Sequence, residues 1–549
     1  MAVDVKESPL FWADKIAREV IDRKKFRYLD KQIPTFDKFV VKTSASISGV
    51  LHIGRLSDTI RGESVVRALI DSGVKAELIW VAEDMDPLRK VPKGVPEGYE
   101  KYIGMPVTDI PDPFGCHNSY AEHNKAEYFK VIDQFVGVRM KKYSMREEYK
   151  KGSFRPYIKK ILENIDKVRE ILNKYRTTPL EKNWSPWTPV CENCGKIITP
   201  RIIGVEEGIV KYVCEDYAFK SYTAKGCGYK GDNDPLEGNG KLMWKSEWAA
   251  QWARWKVVAE GAGKEYQVPM SAWWVNAEIV EHILSFPMPV PIFYEHLMID
   301  GVKMSASLGN VVYPKDWLEV APAELLRFLY NKKLMKTRSF SWRYLPNLYD
   351  EYDRHADVYF DRVKVANEKE REHIKRLFEI SQLGKPKACV TIPFSFAAII
   401  AQIHNPAKSL DKAIELLRFT GHVDKVGKED KEEIRKRLMY ARRWAEKYAP
   451  EDMKIRIRES VPPKLICSLS DKEKNAIKVF AKDLAKEWNE QSLQYRIFEI
   501  AKENGIDVKR FFKICYQIIL GKDYGPKLGP FILAVGKEKI IALLSEVGS

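Results

Sequence analysis

The sequence predicts an α/β protein: a doubly wound, Rossmann-type parallel sheet, interrupted by an inserted cysteine module and followed by an all-helical C-terminal region. Three observations carry this. Strand–helix–strand alternation runs over residues 38–110, four closely spaced cysteines follow it, and helical periodicity is almost continuous from about residue 322 onward. The chain has 549 residues, too long for one core when domains cluster near ~100–200 residues. We read 1–110 and 241–320 as two halves of one catalytic core and 111–240 as an insertion bearing the cysteines. Residues 321–385 form a helical junction and 386–549 a helical domain.

Taken in order, Phe11 to Ile16 opens an amphipathic helix that carries acids and shows no apolar run before a cleavage site, unlike a secretory leader. Phe39-Val40-Val41 is strand-like. Leu56 to Ser72 has helical apolar spacing and stops at Gly73, a good position for a left-handed C′ residue. Ala76 to Ala82 is a continuous apolar run, as in a strand covered on both faces. The acidic run Glu83-Asp84-Met85-Asp86 falls just past its end, where parallel sheets bind ligands. Pro111 to Gly115 is a turn, charged helices follow to about 176, and the cysteines come last. Strand–helix alternation resumes near 265 and ends near 313, with a strand-like run from Ile292 to Ile299. Breaks at Gly384–Pro386 and Val461–Pro463 divide the helical remainder, and Ser470-x-x-Glu473 is a capping box. No repeat of fixed period is present.

Composition narrows the class. Hydrophobic residues make up 45% and charged residues 31%, which is ordinary for a folded protein in water. The net charge of +16 sits on a surface rich in both signs and favours a polyanionic partner such as nucleic acid. The most apolar stretch, Ile392 to Ile403, is shorter than the ~18–20 residues that span a bilayer, so no membrane association and a cytoplasmic location are expected. Cys191-x-x-Cys194, Cys214 and Cys227 have the spacing of a structural tetrahedral Zn2+ site, whose four thiolates leave no open position for catalysis. Cys389, Cys467 and Cys515 stand in apolar helical surroundings and read as core. Cys116-His117 with His123 offers a second set of metal ligands, or a buried turn.

Two short segments concentrate the chemistry. Leu51-His52-Ile53-Gly54 follows a strand and opens a helix. Lys303-Met304-Ser305-Ala306-Ser307 sits in a loop after a strand. A helix N-terminus offers free amides and a positive dipole end, glycines let a ligand approach the backbone, and a histidine and a lysine add donors. That set suits ATP. The expected ATP-binding residues are Ser46, Gly49, His52, Gly54, Lys303, Met304, Ser305 and Ser307, with His52, Gly54, Lys303 and Ser305 expected to act in catalysis.

Order, spacing and context make the pair resemble the two nucleotide-binding signatures of class I aminoacyl-tRNA synthetases. Three further segments sharpen the resemblance: Asp84-Met85-Asp86-x-Leu88-Arg89-Lys90-Val91-Pro92, Pro111-Asp112-Pro113-Phe114-Gly115-Cys116-His117, and Tyr524-Gly525-Pro526-Lys527-Leu528-Gly529-Pro530. With them the chain resembles the class I lysyl-tRNA synthetases of archaeal type, over most of its length. The resemblance implies ATP with Mg2+, L-lysine and lysine tRNA as substrates, a lysyl-adenylate intermediate, a zinc-bearing insertion and a helical anticodon-binding region. Three positions depart from the pattern: Arg55 closes the first signature, Ala306 replaces the usual lysine of the second, and Tyr266 stands where relatives have His. Two other readings remain open: a synthetase of the same class for another amino acid, of glutamyl or arginyl type, and a non-catalytic tRNA-binding paralogue.

A lysine site needs a carboxylate for the ammonium, because an unpartnered buried charge costs several kcal/mol, and an apolar wall for the stem. Glu83, Asp84, Asp86, Glu265 and Glu278 are the candidate carboxylates, Asp84 first among them, although Asp84 and Asp86 could instead cap a helix or pair with Arg89 and Lys90. Trp244, Trp248, Trp252 and Trp255 share a helical face. That stripe suits core, while Trp248 or Trp252 could supply a cation–π wall. For tRNA, Arg435, Arg437, Tyr440, Arg442, Arg443 and Trp444 interleave cations with aromatics, as stacked single-stranded bases require. A monomer is compatible with all of this.

Overall fold

The computed structural model describes residues 11–47, 50–91, 95–220, 222–304 and 309–547. It falls into two compact units. The first comprises residues up to Trp317 together with Ala323–Phe340 and Lys364–Pro386. The second comprises Leu318–Pro322, Ser341–Val363 and everything from Lys387 on.

The first unit is built on a five-stranded parallel sheet. In chain order its elements are helix α1 (Trp12–Asp22), strand β1 (Phe39–Ser46), helix α2 (Ile53–Asp71), strands β2 (Ala76–Glu83) and β3 (Met140–Ser144), helix α3 (Trp244–Trp255), strand β4 (Val257–Gly263), helix α4 (Ala272–His282) and strand β5 (Val290–Tyr294). The spatial order is β5-β4-β1-β2-β3. The strand order therefore reverses direction between β1 and β4, and a ligand crevice opens at such a switch point.

Helix α2 is buried nearly all round, from Ile53 to Leu69. Gly62 lets it press on the sheet, because a Cβ there would sit 2.5 Å from the Thr43 methyl on β1. Its buried charge Glu63 meets Arg327, whose remaining N–H groups donate to the carbonyls of Phe135, Ile380 and Ser381. That satisfaction makes a buried ion pair tolerable. Against the sheet's other face packs an aromatic core that includes Trp187, Trp252, Trp255 and Trp273.

Two strands lie outside the sequence expectation. β4 begins at Val257, earlier than the expected resumption near 265, because its run Val-Val-Ala-Glu-Gly-Ala-Gly is fully buried yet built from small residues. β3 pairs with β2 as the sheet edge although it arises inside the stretch read as insertion, and its composition, Met-Lys-Lys-Tyr-Ser, hides it. The cysteine module is a three-stranded antiparallel sheet of Pro200–Glu206, Ile209–Cys214 and Lys230–Asn233.

The second unit is helical. It includes α5 (Leu345–Tyr359), α6 (Phe394–Ile403), α7 (Lys428–Lys447) and α8 (Asp471–Leu484), the last started by the Ser470–Glu473 capping box. Tyr349 stacks on Phe394 at 4.0 Å. Among the remaining cysteines, Cys515 is buried, but Cys467 is exposed and Cys389 only partly covered, which corrects their reading as core. Among the described residues no helix is long and apolar enough to cross a membrane.

Candidate active site

At the carboxyl ends of β1 and β4 lies a cleft of about 270 Å3, lined by Ser44, His52, Gly54, Arg55, Ser57, Asp58, Glu265, Tyr294, His296, Leu297, Lys303 and Met304. Both signature segments reach it. Their contact is direct. A Cβ on Gly54 would stand 2.8 Å from the His52 ring and 2.9 Å from the Met304 methyl, so only glycine lets them close together. The backbone adds a second tie, as Ile53 N–H donates to the Val312 carbonyl at 2.9 Å.

His52 is the N-cap of α2, and its Nδ1 accepts the Gly54 N–H at 3.1 Å. Burial, with Arg55 adding like charge, lowers its pKa to about 4. The ring is thus neutral, and since Nδ1 accepts, the proton sits on Nε2. The local fold makes His52 a fixed neutral donor. Lys303 ends a short strand paired with Met298. Of the other expected ATP-site residues, Gly49, Ser305 and Ser307 lie outside the described residues, and the Ser46 hydroxyl donates to Asp86 at 2.9 Å.

The candidate substrate carboxylates separate into two groups. Glu83 faces Lys42, which pairs with Glu260 at 2.7 Å, and Gln251 donates to Glu83 from the side. Asp86 pairs with Lys241, which also holds Glu247 at 3.0 Å. Asp84, the foremost candidate, is fully buried, pairs with Lys125 at 3.1 Å and accepts the Arg146 N–H. These three acids hold the protein together, and their partners are internal. Lys174 likewise covers Glu278 at 2.6 Å. Only Glu265 among the candidates lines the cleft, hydrogen-bonded to His296 at 2.9 Å. The tryptophans are corrected as well. Trp248 stacks on Trp244 and meets Trp273 edge-on, and Trp252 donates its Nε1 to Glu260, so both are packed into the aromatic core. The sequence reading missed Asp58, Tyr294 and His296, which line the cleft from a mid-helix position and from the end of β5.

Two clusters have metal-ligand geometry, each with its ligand atoms within 4.8 Å of one another. In the first, Cys191 and Cys227 sulfurs lie 3.7 Å apart and Cys194 and Cys214 sulfurs 3.6 Å apart. Gly195 and Gly228 adopt positive φ at the turns, and the Cys227 N–H points at the Cys214 sulfur. Four soft donors at tetrahedral spacing fit Zn2+. The second gathers Asp112, Cys116, His117 and His123, with Asp112 held by the N–H groups of Phe114, Cys116 and His117.

On α7 the expected nucleic-acid residues divide. Arg437 clamps Asp353 at 2.7 and 2.8 Å, and Trp444 is buried with its Nε1 on the Trp342 carbonyl, so both belong to the helical core. Arg442 bonds Glu446 and the Ala401 carbonyl, and Tyr440 is half-buried. Arg435 and Arg443 are exposed.

A parallel sheet with a neutral histidine, a helix N-terminus and a lysine around a cleft at its switch point defines a nucleotide-handling α/β enzyme of the class I synthetase kind. Residues 10–384 match the family of class I tRNA synthetases (K). The chain belongs to that family. It is 35% identical to a lysine–tRNA ligase of Methanocaldococcus jannaschii over 97% of this chain and 99% of that protein. Lysine–tRNA ligases of Thermococcus kodakarensis and Archaeoglobus fulgidus are 34% and 31% identical, covering 97% and 96% of this chain and 99% and 98% of those proteins.

Proposed function

We propose that this protein joins L-lysine to lysine tRNA in two steps that share the cleft. In the first, the lysine carboxylate attacks the α-phosphate of ATP and pyrophosphate leaves. In the second, a hydroxyl of the terminal tRNA ribose attacks the lysyl carbonyl and AMP leaves. Neither step needs a protein nucleophile. Charge builds on phosphoryl oxygens, so the protein's work is to hold donors where that charge develops. His52 Nε2–H and the α2 N-terminus serve there, and Lys303 approaches the leaving pyrophosphate. Mg2+ accompanies ATP and neutralises its phosphates. With Ala306 in the second signature, Lys303 is the lysine on which that segment relies.

The observation that carries this reading is the close approach of the two signatures: Gly54, His52 and Met304 meet at one edge of the cleft. The near-full-length likeness to lysine–tRNA ligases supplies the amino acid. The four-cysteine cluster would hold a structural Zn2+ that fixes its hairpins, and Arg435 and Arg443 would meet tRNA phosphates. The test is ATP–pyrophosphate exchange with each of the twenty amino acids, with and without tRNA, followed by charging of lysine tRNA. Lysine is expected to support exchange above all others. A preference for glutamate or arginine would reassign the substrate, and absence of both exchange and charging would leave a tRNA-binding protein.

A further inference from the structure

We propose that Gly104 is a positioning residue for amino-acid activation: it seats the cysteine module on the segment that holds Asp86, so that closing the four thiolates around an ion fixes the end of β1 ahead of the first signature. The reaction rests on the ligase reading above; the geometry does not.

Gly104 is buried between the two turns that carry the cysteines. Its carbonyl accepts the N–H of Ile197, just past Cys194, at 2.8 Å. A Cβ on it would stand 2.9 Å from the Ile198 side chain and 2.9 Å from Ala224, just before Cys227. Its φ is +93°, a conformation that glycine adopts without strain. A methyl group cannot enter this seat unless the turns part. They meet through their sulfurs, Cys191 with Cys227 and Cys194 with Cys214, and through one hydrogen bond from Lys196 Nζ to the Lys225 carbonyl at 2.7 Å. Thiolates repel one another until a cation draws them together, so the width of the seat follows the state of the cluster.

The other side of Gly104 faces the acid run after β2. Its N–H donates to the Leu88 carbonyl at 2.8 Å, the Leu88 N–H to the Met105 carbonyl at 2.9 Å, and the Val107 N–H to the Asp86 carbonyl at 3.1 Å. The carboxylate of Asp86 in turn accepts the hydroxyl of Ser46, the last residue of β1. Lys241, which pairs with the same carboxylate at 3.2 Å, also comes from the module's base. Its strand, Gly240–Leu242, is bonded to Trp187–Pro189, which leads into Cys191. Backbone and side chain of Asp86 are therefore both held from the cysteine side. The far end of the segment is anchored by the Tyr120 and Ala121 N–H groups on the carbonyls of Ile110 and Val107, so a shift at Gly104 is passed to Asp86.

The test is amide hydrogen exchange on the full chain loaded with Zn2+, beside Cys227→Ala, which opens this cluster alone, and Gly104→Ala, which leaves every thiolate in place. Both variants are expected to exchange about 10-fold faster in residues 84–91 and 104–110, with residues 387–549 unchanged. Native mass spectrometry should show the ion retained in Gly104→Ala. The kcat of ATP–pyrophosphate exchange should fall about 10–100-fold in that variant. Because Gly104 acts through Asp86 and Ser46, adding Gly104→Ala to Ser46→Ala should lower kcat little further, whereas a merely structural role gives losses that multiply. Multiplying losses overturn the assignment. So does faster exchange confined to the cysteine module or spread over the whole sheet, and so does a native chain that protects residues 84–91 equally with and without Zn2+. If Gly104→Ala does not fold, Cys227→Ala decides by itself. If the native chain activates no amino acid, the ligase reading fails, while the hydrogen-exchange comparison still decides whether the module holds Asp86.

Discussion

At the scale of residues, the site is defined by groups whose titration the fold has shifted. His52 is neutral because it is buried at a helix N-terminus beside Arg55. His52→Ala is expected to lower the exchange rate by about 10²–10³, as for one oxyanion donor, with little change in lysine affinity. Because its folded pKa lies below the unfolded value, His52 favours the folded state above pH ~6.5 and loses that contribution as pH falls toward about 4. Asp58 has the opposite sign. Its folded pKa is raised to about 7, so its contribution is full below the unfolded value and is lost as pH rises through about 7. Thermal melts of Asp58→Asn without ligand should therefore exceed the native melting temperature at pH 8 and approach it at pH 4. His52 and Lys303 could be found from sequence because they sit in short motifs. Asp58 could not, since a lone acid inside a helical run looks like a solvated position until the sheet is seen against it.

At the scale of elements, β1, α2 and β2 were legible within a few residues, because an apolar run, a glycine stop and a second apolar run bound them. β4 and β3 were not. Their burial is imposed by neighbouring strands, and sequence periodicity records only what a strand's own side chains show. The same tertiary context fixed the fate of the acidic run: its carboxylates fall at strand ends as expected, but Lys42, Lys125 and Lys241 reach them from elsewhere in the chain. The meeting of the two signatures depends on Gly54. Gly54→Ala should abolish most exchange activity while leaving the circular dichroism of the protein intact, since its Cβ would drive the His52 ring and Met304 apart. Retained activity in that variant would show that the approach of the two segments is not needed.

At the scale of the whole molecule, the division into a sheet-based unit and a helical unit follows the change of pattern along the chain, whereas the return of Lys364–Pro386 to the first unit left no mark in composition. The charge pattern on α7 was informative only in part, since Arg437 and Trp444 were absorbed into packing. Arg435→Ala with Arg443→Ala is expected to weaken tRNA binding, to reduce its salt slope by about 2, and to leave adenylate formation unchanged. Arg437→Ala should instead destabilise the helical unit by about 3–5 kcal/mol, because Asp353 would be stranded. If the cysteine cluster holds zinc, a chelator should lower the melting temperature, and native mass spectrometry should record the loss of the ion.

The paired lysines beneath the strand ends have a practical corollary for redesign. A bench programme that rewrote Glu83, Asp84 or Asp86 to accept a different amino acid would first strip the protein of its own counter-ions, and the products would misfold before they changed their diet. Retuning has to begin on the solvent side of that ionic floor, at the Ser44 side chain, whose exchange removes the partner of no charge; Tyr294 and His296 cover Arg61 and Glu265 and would have to be changed together with them.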